Sequence, residues 1–424
     1  MKKISTKHFC RDYLPILIFI LAMILPSFVH SQELINFVEK PKLLETGDIG
    51  KGFNYYRPRW SPDGQWLSFE LIDENSLRTF VAIPGSNTCF ECRGKSSAAS
   101  SGGLDLFSEK TGGKAAVTRL SWAKQTISNT SSFCFSDEGA LYKSNAYVLT
   151  GKAAITPPRE FISVAKMGEV GSNNGILIPE MGFTSTKSQA PVLFTDNDSG
   201  RLFMIFGNQD LKQITFDTDK LKFTDCCPKF HPTDNLSVVF VRTFEGNSDL
   251  FIIDDLNNPR ATTRKLLDWP KSDEFAPTWS PDGKHIAFYS NGDGATPNKK
   301  SFDLFILDPA SKGQPTLLAK NIRPDNIEEK LGPPYIGPQW IGNDAIIFAK
   351  DDNQAKDPLM YVQISTKLVE TLPVGTILND SPSICDLGDG TYLLAYTAFG
   401  KAIVDLSQPD INNRIYYAKL IFSR

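Results

Sequence analysis

At Arg59–Phe69 the chain reads Arg-Trp-Ser-Pro-Asp-Gly-Gln-Trp-Leu-Ser-Phe, and at Thr278–Phe288 it reads Thr-Trp-Ser-Pro-Asp-Gly-Lys-His-Ile-Ala-Phe. Ser-Pro-Asp-Gly predicts a tight turn, because Pro fixes φ, Asp bonds its own backbone and Gly adopts the positive φ that closes the turn. The apolar residues that follow alternate, which predicts a strand with one buried face. Two such hairpins in one chain indicate a repeat architecture.

Three weaker copies of the hairpin emerge when the pattern is relaxed to proline, any residue and a large apolar residue. They lie at Pro228–Phe230, Pro338–Trp340 and Pro382–Ile384, in addition to the strong copies that follow Pro58 and Pro277. Proline has no amide donor and suits the first residue of a strand. We therefore expect each of these prolines to begin the innermost strand of a repeat.

A third strand and a fourth strand are predicted after the hairpins. The third strand is predicted at Leu104–Phe107, Ser248–Asp254, Phe302–Asp308 and, more loosely, Asp357–Val362. The fourth is predicted at Lys114–Leu120, Ala261–Leu267, Gln314–Ala319 and Leu368–Leu372. Four antiparallel strands in a repeat of about 40 to 60 residues are typical of a β-propeller blade.

Together these motifs resemble the propeller repeat of the TolB type, which also occurs in prolyl-oligopeptidase-like peptidases. The copies at Trp60 and Trp279 match closely, and those at Phe230 and Trp340 match moderately. The resemblance covers roughly residues 40 to 424. It implies an all-β propeller fold, and it implies little about activity because this repeat serves many proteins.

The predicted fold is a single propeller of seven four-stranded antiparallel blades, with six blades as the alternative because the third unit is degenerate. The segment Lys42–Glu45 is expected to pair with Arg414–Phe422, so that an N-terminal strand closes the ring and removes exposed edges. The predicted blades span Tyr56–Leu120, Trp122–Thr156, Phe161–Phe216, Pro228–Asp268, Pro277–Asn321, Pro338–Leu372 and Pro382–Phe422.

Residues 1–31 have the features of a secretory signal peptide, with four basic residues ahead of the apolar run Leu14–Val29. The alternative is an uncleaved anchor, but the run is shorter than the roughly 20 residues that a membrane span needs. The sequence therefore predicts a periplasmic or secreted protein with the propeller at 32–424 and no membrane span after cleavage.

Composition and motif content restrict the chemistry. The net charge of −3 gives no electrostatic basis for nucleic-acid binding. His231 and His285 are the only histidines after residue 31, and we expect structural roles for both. The chain has no nucleophile elbow, zincin motif or phosphate loop. Acidic turns such as Asp196–Asp198 and Asp351–Asn353 are expected to be solvated, so neither metal nor cofactor is predicted.

Six cysteines follow the predicted signal peptide, and an even number in an exported protein favours disulfides. Cys89-Phe90-Glu91-Cys92 lies in a segment at about 73–103 that we interpret as an insertion rich in Ser, Gly and Cys. Three interpretations remain open for Cys89 and Cys92: a local disulfide, pairing with other cysteines, or a metal or redox site.

The residues just before each innermost strand line one mouth of a propeller's channel. Here they form a ring of aromatic and charged residues, which suits a peptide or a small polar ligand. The candidate ligand-binding residues are Tyr56, Arg57, Asp225, Glu274, Tyr335 and Asp380.

Three functions follow as hypotheses. The first, implied by the resemblance to TolB, is a protein-binding or scaffold module that contacts an envelope protein or peptide at this mouth. The second is a propeller hydrolase or lyase for a peptide or saccharide, with Asp225, Glu274 and Asp380 as acid and base candidates. The third is a subunit of a larger envelope complex that uses the 73–103 segment as its contact. A solvated funnel without a ligand is the remaining alternative.

Overall fold

The chain forms seven antiparallel β-sheets that are arranged as the blades of a β-propeller, as the sequence predicts. The computed structural model describes residues 35–44, 54–72, 77–92, 119–137, 140–163, 166, 176–183, 190–196, 199–206, 211–216, 223–270, 272–292, 301–311, 313–322, 337–351, 357–399 and 413–423. In blades one to six the strands follow one another in chain order from the innermost to the outermost.

The first three blades contain strands β2 to β14. Blade one has β2 (Asn54–Trp60), β3 (Leu67–Ile72), β4 (Leu77–Ala82) and β5 (Cys89–Glu91). Blade two has β6 (Arg119–Trp122), β7 (Thr130–Asp137), β8 (Ala140–Leu149) and an interrupted outer strand, β9 (Lys152–Ile155) and β10 (Arg159–Ile162). Blade three has β11 (Ile176–Met181), β12 (Val192–Asp196), β13 (Leu202–Ile205) and β14 (Lys212–Gln213).

The next three blades contain strands β15 to β26. Blade four has β15 (Thr224–Phe230), β16 (Val238–Phe244), β17 (Asn247–Ile253), the short helix α1 (Pro259–Thr262) and β18 (Thr263–Lys265). Blade five has β19 (Glu274–Trp279), β20 (Ile286–Ser290), β21 (Phe302–Leu307) and β22 (Thr316–Ile322). Blade six has β23 (Gln339–Ile341), β24 (Ala345–Ala349), β25 (Leu359–Gln363) and β26 (Leu368–Thr371).

Blade seven joins the two ends of the chain. It contains β27 (Ile377–Asp386), β28 (Thr391–Phe399) and β29 (Arg414–Phe422), and the N-terminal strand β1 (Ile35–Leu43) pairs antiparallel with β29 as the outermost strand. The predicted closure of the ring is therefore confirmed. The strand begins earlier than the predicted Lys42–Glu45 segment.

Blade one differs from the prediction. Its third and fourth strands are β4 and β5, which lie inside the segment that we interpreted as an insertion. The predicted third strand, Leu104–Phe107, lies outside the described residues, and Arg119 and Leu120 belong to the innermost strand of blade two. The side chains from Thr79 to Ala82 are buried, so this segment carries a core face although its surroundings are rich in polar residues.

In four blades the repeat proline does not begin the innermost strand but lies within a β-bulge, whereas Pro338 of blade six directly precedes β23. The register shifts across Tyr56/Arg59, Cys226/Lys229, Phe275/Thr278 and Asp380/Ser383, each time around the proline. Since proline cannot donate to the ladder, a bulge is one of the few places in a sheet that accepts it. The residue before it has positive φ in these four blades: Arg57 at 49°, Cys227 at 57°, Ala276 at 51° and Ser381 at 47°.

The predicted Ser-Pro-Asp-Gly turn is confirmed in both strong copies. In the first, Ser61 Oγ donates to Asp63 Oδ1, which also accepts from the amide of Gln65, and Gly64 has a φ of 68°. The second copy repeats these contacts with Ser280, Asp282, Lys284 and Gly283. The side chains of the turn therefore close it by hydrogen bonds within the turn itself.

The apolar core lies between the blades rather than at the centre of the ring. Six clusters of buried side chains cover the seven interfaces between neighbouring blades, one of them spanning blades four, five and six. Aromatic residues contribute much of this core, for example the stacked rings of Phe288 and Phe305 in blade five. Because each blade buries both faces, its central strands are continuous apolar runs.

Near the channel the residue after the innermost-strand proline links its blade to a neighbour in six blades, counting Glu180 after Pro179 in blade three; blade two has no such proline. These residues are polar, and together they take part in a hydrogen bond or ion pair at every one of the seven interfaces. The contacts are Arg59 to the Leu120 carbonyl, Lys124 to Glu180, Lys229 to Glu180, Trp279 Nε1 to the Lys229 carbonyl, Thr278 to the Pro338 carbonyl, the Ile384 amide to Gln339 and the Trp60 amide to Ser383.

The indole N–H of the repeat tryptophan donates to a neighbouring blade in three blades, and in blade five this is the link already described. The indole Nε1 of Trp122 donates to the Arg59 carbonyl at 3.2 Å, Trp279 donates to Lys229, and Trp340 donates to Thr278 Oγ1 at 3.2 Å. The Nε1 of Trp60 is buried and has no hydrogen-bond partner among the described residues. Blade four has Phe230 at this position and so has no donor to offer.

Trp122→Phe is expected to lower the free energy of unfolding by about 1 kcal/mol more than Trp60→Phe does. Both changes remove similar volume, but only the first removes a hydrogen bond between blades, and such a bond contributes about 1 kcal/mol. Reversible urea unfolding of the two variants and the wild type measures the difference. Equal losses would show that the indole donor does not stabilise the ring.

Candidate functional site

The two faces of the propeller differ in the length of their connections. We call the face where the innermost strands begin the mouth face, and the opposite face, which carries the Ser-Pro-Asp-Gly turns, the turn face. Every connection of more than ten residues begins and ends at the mouth face: 92–118, 163–175, 291–301, 323–338 and 400–413. Long connections on a rigid scaffold are where binding residues concentrate.

Five of the six predicted mouth residues lie on the innermost strands, at or next to the bulge. Asp225 and Glu274 are three residues before the repeat proline, Tyr56 and Asp380 are two residues before it, and Arg57 is directly before it. The bulge therefore sets their positions. Tyr335 lies outside the described residues.

Arg57 is buried and forms an ion pair inside blade one. Its side chain is fully enclosed, and Nη1 lies 3.4 Å from Glu70 Oε2 on the adjacent strand. Both partners are charged and both are removed from water, so removing either one leaves a buried charge without its counterion. Arg57 thus supports the bulge, and the half-buried Tyr56 next to it is the more accessible of the two.

Asp225 lies in a cluster of arginines and one phenylalanine at the mouth of blades three and four. Arg242 donates to both carboxylate oxygens, at 2.7 and 3.0 Å. The guanidinium groups of Arg201 and Arg242 lie 3.8 and 3.6 Å from the ring centre of Phe223. Burial raises the pKa of the Asp225 carboxyl, and the bonds from Arg242 offset part of that shift.

Glu274 is a buried carboxyl group without a cationic partner in hydrogen-bond contact. Its Oε1 accepts hydrogen bonds from Ser272 at 2.5 Å and Ser290 at 3.0 Å. Its Oε2 is buried and has no hydrogen-bond partner in the described part of the chain. Burial raises the pKa of Glu274 to about 7, since the two serine hydroxyls stabilise the charged form only in part.

Asp380 lies in blade seven at the position that Tyr56 has in blade one, two residues before the repeat proline. The carboxylate accepts a hydrogen bond of 2.6 Å from the amide of Ser381, and Asp380 pairs in register with Thr397 on the second strand. The Thr397 hydroxyl is buried, and within the described ranges it has no hydrogen-bond partner. Blades five and seven thus each carry a buried polar atom at the mouth that has no hydrogen-bond partner among the described residues.

Unsatisfied buried polar atoms are rare in folded proteins, and each one calls for a water, an ion or a ligand. Here Glu274 and Thr397 lie on the two blades that flank blade six. This part of the mouth offers a carboxyl group that is able to donate or accept a proton near neutral pH. It is suited to a polar ligand with hydrogen-bond donors and acceptors.

The predicted disulfide between Cys89 and Cys92 is not formed; both residues are thiols. Cys89 begins β5, and the amide of Cys92 continues the same pairing by donating to the Thr79 carbonyl at 2.8 Å. An extended strand advances about 3.3 Å per residue, which separates Cα atoms three residues apart by about 10 Å. A disulfide needs a separation of about 4.4–6.8 Å.

The two histidines contact other parts of the scaffold. His231 Nε2 lies 3.2 Å from the Gly283 carbonyl, and its ring packs edge to face on Trp279, which joins blades four and five. The backbone amide of His285 donates to Ser280 Oγ in the turn.

The described residues contain no group of three or more His, Cys, Asp or Glu side chains suited to a metal ion. None of their helices has the length and apolar character of a membrane span.

The sequence analysis did not predict the partners on the second strands. It also did not predict the polar ring, our name for the polar residues that follow the repeat prolines and link neighbouring blades. Arg242, Glu70 and Thr397 each face a bulge residue across the sheet, but the extra residue of the bulge obscures that register in the sequence. The polar ring was visible in principle. In Pro-x-Trp and its variants, x is polar in every copy, inside a strand that is otherwise largely apolar.

Comparison with known proteins places TolB among the solved structures that are similar to this chain. No protein-family model matches the chain, and no curated protein matches its sequence. TolB from Acinetobacter baumannii is 12% identical, with 80% of this chain and 67% of that chain covered and a TM-score of 0.41.

Two lyases are also similar in structure. An oligogalacturonate lyase from Vibrio parahaemolyticus is 11% identical, with 91% of this chain and 97% of that chain covered and a TM-score of 0.45. A catalytically inactive virginiamycin B lyase from Staphylococcus aureus, with quinupristin, is 13% identical, with 89% and 99% covered and a TM-score of 0.46. Likenesses this distant carry no information on what the present chain binds.

Glu274 makes stability depend on pH in a defined direction. Its pKa is about 7 in the folded protein against an ordinary value of 4.5, so the folded state binds the proton more tightly. The stabilisation is complete below pH 4.5 and is lost as the pH rises to about 7, with a size of about 3 kcal/mol.

Glu274→Gln is expected to remove this component, because the amide keeps the shape and does not titrate. The measurement is the free energy of unfolding of both proteins between pH 4.5 and 7.5. The difference between the two curves should change across this window and level off above pH 7. Parallel curves would show that Glu274 is not a perturbed carboxyl group.

Proposed function

We propose that this protein is an exported propeller that binds an envelope protein or peptide at its mouth face. The observation that carries the proposal is that two buried polar atoms at the mouth, Glu274 Oε2 and Thr397 Oγ1, have no hydrogen-bond partner among the described residues. A partner that supplies hydrogen bonds to such atoms offsets a desolvation cost of about 1–3 kcal/mol for each group.

The difference in connection length between the two faces also supports the mouth face as the binding surface. The turn face is made largely of compact turns closed by their own side chains, as at Ser61–Gly64. All connections longer than ten residues join strand ends that lie at the mouth face. Connections of this length can differ most without disturbing the blades.

Export to the periplasm or the exterior, with cleavage of residues 1–31, is part of this proposal. It is supported by the sequence features of that segment. The extent of the propeller, residues 32–424, is proposed on the same basis. N-terminal sequencing of the protein recovered from the envelope fraction distinguishes cleavage before Gln32 from retention of an anchor.

The proposed surface is tested with variants that change one face at a time. Arg57 and Asp225 are unsuitable because their substitution leaves a buried charge unpaired. Thr224→Arg adds a bulky cation at the exposed mouth end of β15, and Leu236→Arg adds the same group on the turn face of the same blade. Photo-crosslinking in envelope extract, followed by mass spectrometry, identifies the partner and the contact site.

Thr224→Arg is expected to lower capture of the partner at least tenfold, whereas Leu236→Arg leaves capture unchanged. Both variants must retain the melting temperature of the wild type. Crosslinks are expected between the partner and the mouth face. If Leu236→Arg abolishes capture and Thr224→Arg does not, the turn face is the binding surface and the proposal is wrong.

The second candidate function is a hydrolase or lyase, and the carboxyl group of Glu274 favours it. A pKa of about 7 suits a general acid or base at neutral pH. A panel of peptides and oligosaccharides tests this function. Glu274→Gln is expected to lower kcat/KM by about 100-fold or more, and the wild-type profile should inflect near pH 7.

The control for this test is Glu245→Gln, which changes an exposed carboxylate on the mouth-face hairpin between β16 and β17. It is expected to leave the rate unchanged. Equal rates in wild type, Glu245→Gln and Glu274→Gln would exclude Glu274 from the reaction. No turnover by the wild type on any member of the panel would favour the binding function.

A further inference from the structure

Cys226 and Cys227 bring two thiols into contact at the mouth of blade four. Their Sγ atoms are 2.9 Å apart, compared with about 2.05 Å in a disulfide bond. In a regular strand adjacent side chains point to opposite faces of the sheet, which keeps neighbouring sulfurs apart. The contact therefore requires an interruption of the strand at this position.

The interruption is the repeat bulge. Cys227 has a φ of 57°, and the register of β15 with β16 shifts between Cys226 and Lys229. The same conformation occurs at Arg57, Ala276 and Ser381, which have no neighbouring cysteine. The propeller repeat therefore sets this backbone, and the two cysteines occupy a site where consecutive side chains converge.

We propose that Cys226 and Cys227 are an oxidisable dithiol that closes to a disulfide between adjacent residues by exchange with a small-molecule or protein disulfide. The product is an eight-membered ring at the mouth face, beside the Asp225–Arg242 ion pair. The site is a redox modification site of the propeller, and it does not depend on the proposed binding partner.

The two residues differ in exposure, and we assign the order of reaction from this difference. Cys226 is half-buried, and Cys227 is 4% exposed. The Cys226 thiolate attacks one sulfur of the incoming disulfide, forms a mixed disulfide and releases the first thiolate, which takes up a proton. Cys227 then loses its proton and attacks the Sγ of Cys226, and the second thiolate leaves. Two thiols are oxidised, and one external disulfide is reduced to two thiols.

The surroundings keep the reduced pair stable at neutral pH. The Cys227 thiol and burial raise the pKa of Cys226 well above the ordinary value, and the carboxylate of Asp225 acts in the same direction. Since the thiolate is the reacting species, exchange is slow at neutral pH and faster in mild alkali. Geometry favours closure of the ring, while the scarcity of thiolate limits its rate.

The contrast with Cys89 and Cys92 shows how specific this geometry is. Those two cysteines have the sequence spacing of a local disulfide, yet they lie along an extended segment and remain thiols. On a regular strand the side chains of adjacent residues such as Cys226 and Cys227 would point to opposite faces and could not form a disulfide. The bulge brings their two sulfurs together instead. Oxidation is therefore expected at Cys226–Cys227 before Cys89–Cys92.

The test treats the folded full chain with oxidised glutathione at mildly alkaline pH, followed by alkylation and peptide mass mapping. The peptide that contains both cysteines is expected to lose two hydrogens and to carry no glutathione. Dithiothreitol should restore both thiols. A persistent glutathione adduct in the wild type, or two thiols that still alkylate fully after oxidation, would overturn the proposal.

Single variants separate the two steps. Cys227→Ser is expected to accumulate a glutathione adduct on Cys226, because the second thiol is missing, and Cys226→Ser is expected to react much more slowly. Serine is suited to position 227, since Ser381 has the same conformation in blade seven. If that variant fails to fold, Cys227→Ala replaces it, on the model of Ala276 in blade five. An internal disulfide in either single variant would contradict the assignment.

A matched control places two adjacent cysteines on a regular strand. Leu368 and Val369 lie on the outer strand β26 and are 40% and 37% exposed. In a Cys226→Ser, Cys227→Ser background, Leu368→Cys with Val369→Cys is expected to carry two glutathione adducts and no ring. Ring closure at this control site would show that adjacency alone suffices and that the bulge has no special role.

Discussion

The structure depends on a chain of polar contacts around the channel, made by the residue after each repeat proline. Among the described residues no continuous strand ladder joins neighbouring blades, so the blades are held together by side-chain contacts and by isolated backbone hydrogen bonds, such as that from the Asp351 amide to the Asn321 carbonyl. Arg59, Thr278 and Gln339 differ in chemistry, yet each one contacts the innermost strand of a neighbouring blade. Any side chain with a suitable donor or acceptor serves there, which explains why the repeat specifies proline and a large apolar residue but not the residue between them.

The bulge at the proline divides the innermost strand into two parts with different tasks. Beyond the bulge, the polar ring and the tryptophans hold neighbouring blades together. Before it, the strand carries charged and polar residues that are buried with partners, such as Asp225 with Arg242, or without a complete set, such as Glu274. Groups of the second kind are costly for stability, and they lie at one end of the innermost strands, apart from the polar contacts that hold neighbouring blades together.

Much of the fold was predictable because its signals are local. The turn residues, the alternating strand and the repeat proline identify blades four to seven, and the N-terminal strand closes the ring where the sequence places it. Blade one was mispredicted because Leu104–Phe107 matches the third-strand motif better than Leu77–Ala82 does. The mouth positions were also predictable, but their partners were not. Glu70 and Arg242 depend on a register that the bulge shifts, and this shift leaves no mark in the sequence beyond the proline.

The pairing of β1 with β29 has a mechanical consequence. Ile35 and Phe422 are directly opposite each other, so the outer ends of the two terminal strands lie side by side on the turn face. A force that pulls these ends apart acts across the strands and breaks their hydrogen bonds one after another, like a zipper, instead of shearing all of them at once. Under such tension the ring opens at blade seven first, while the other six blades, whose four strands are continuous in the chain, bear no load until that seam has separated.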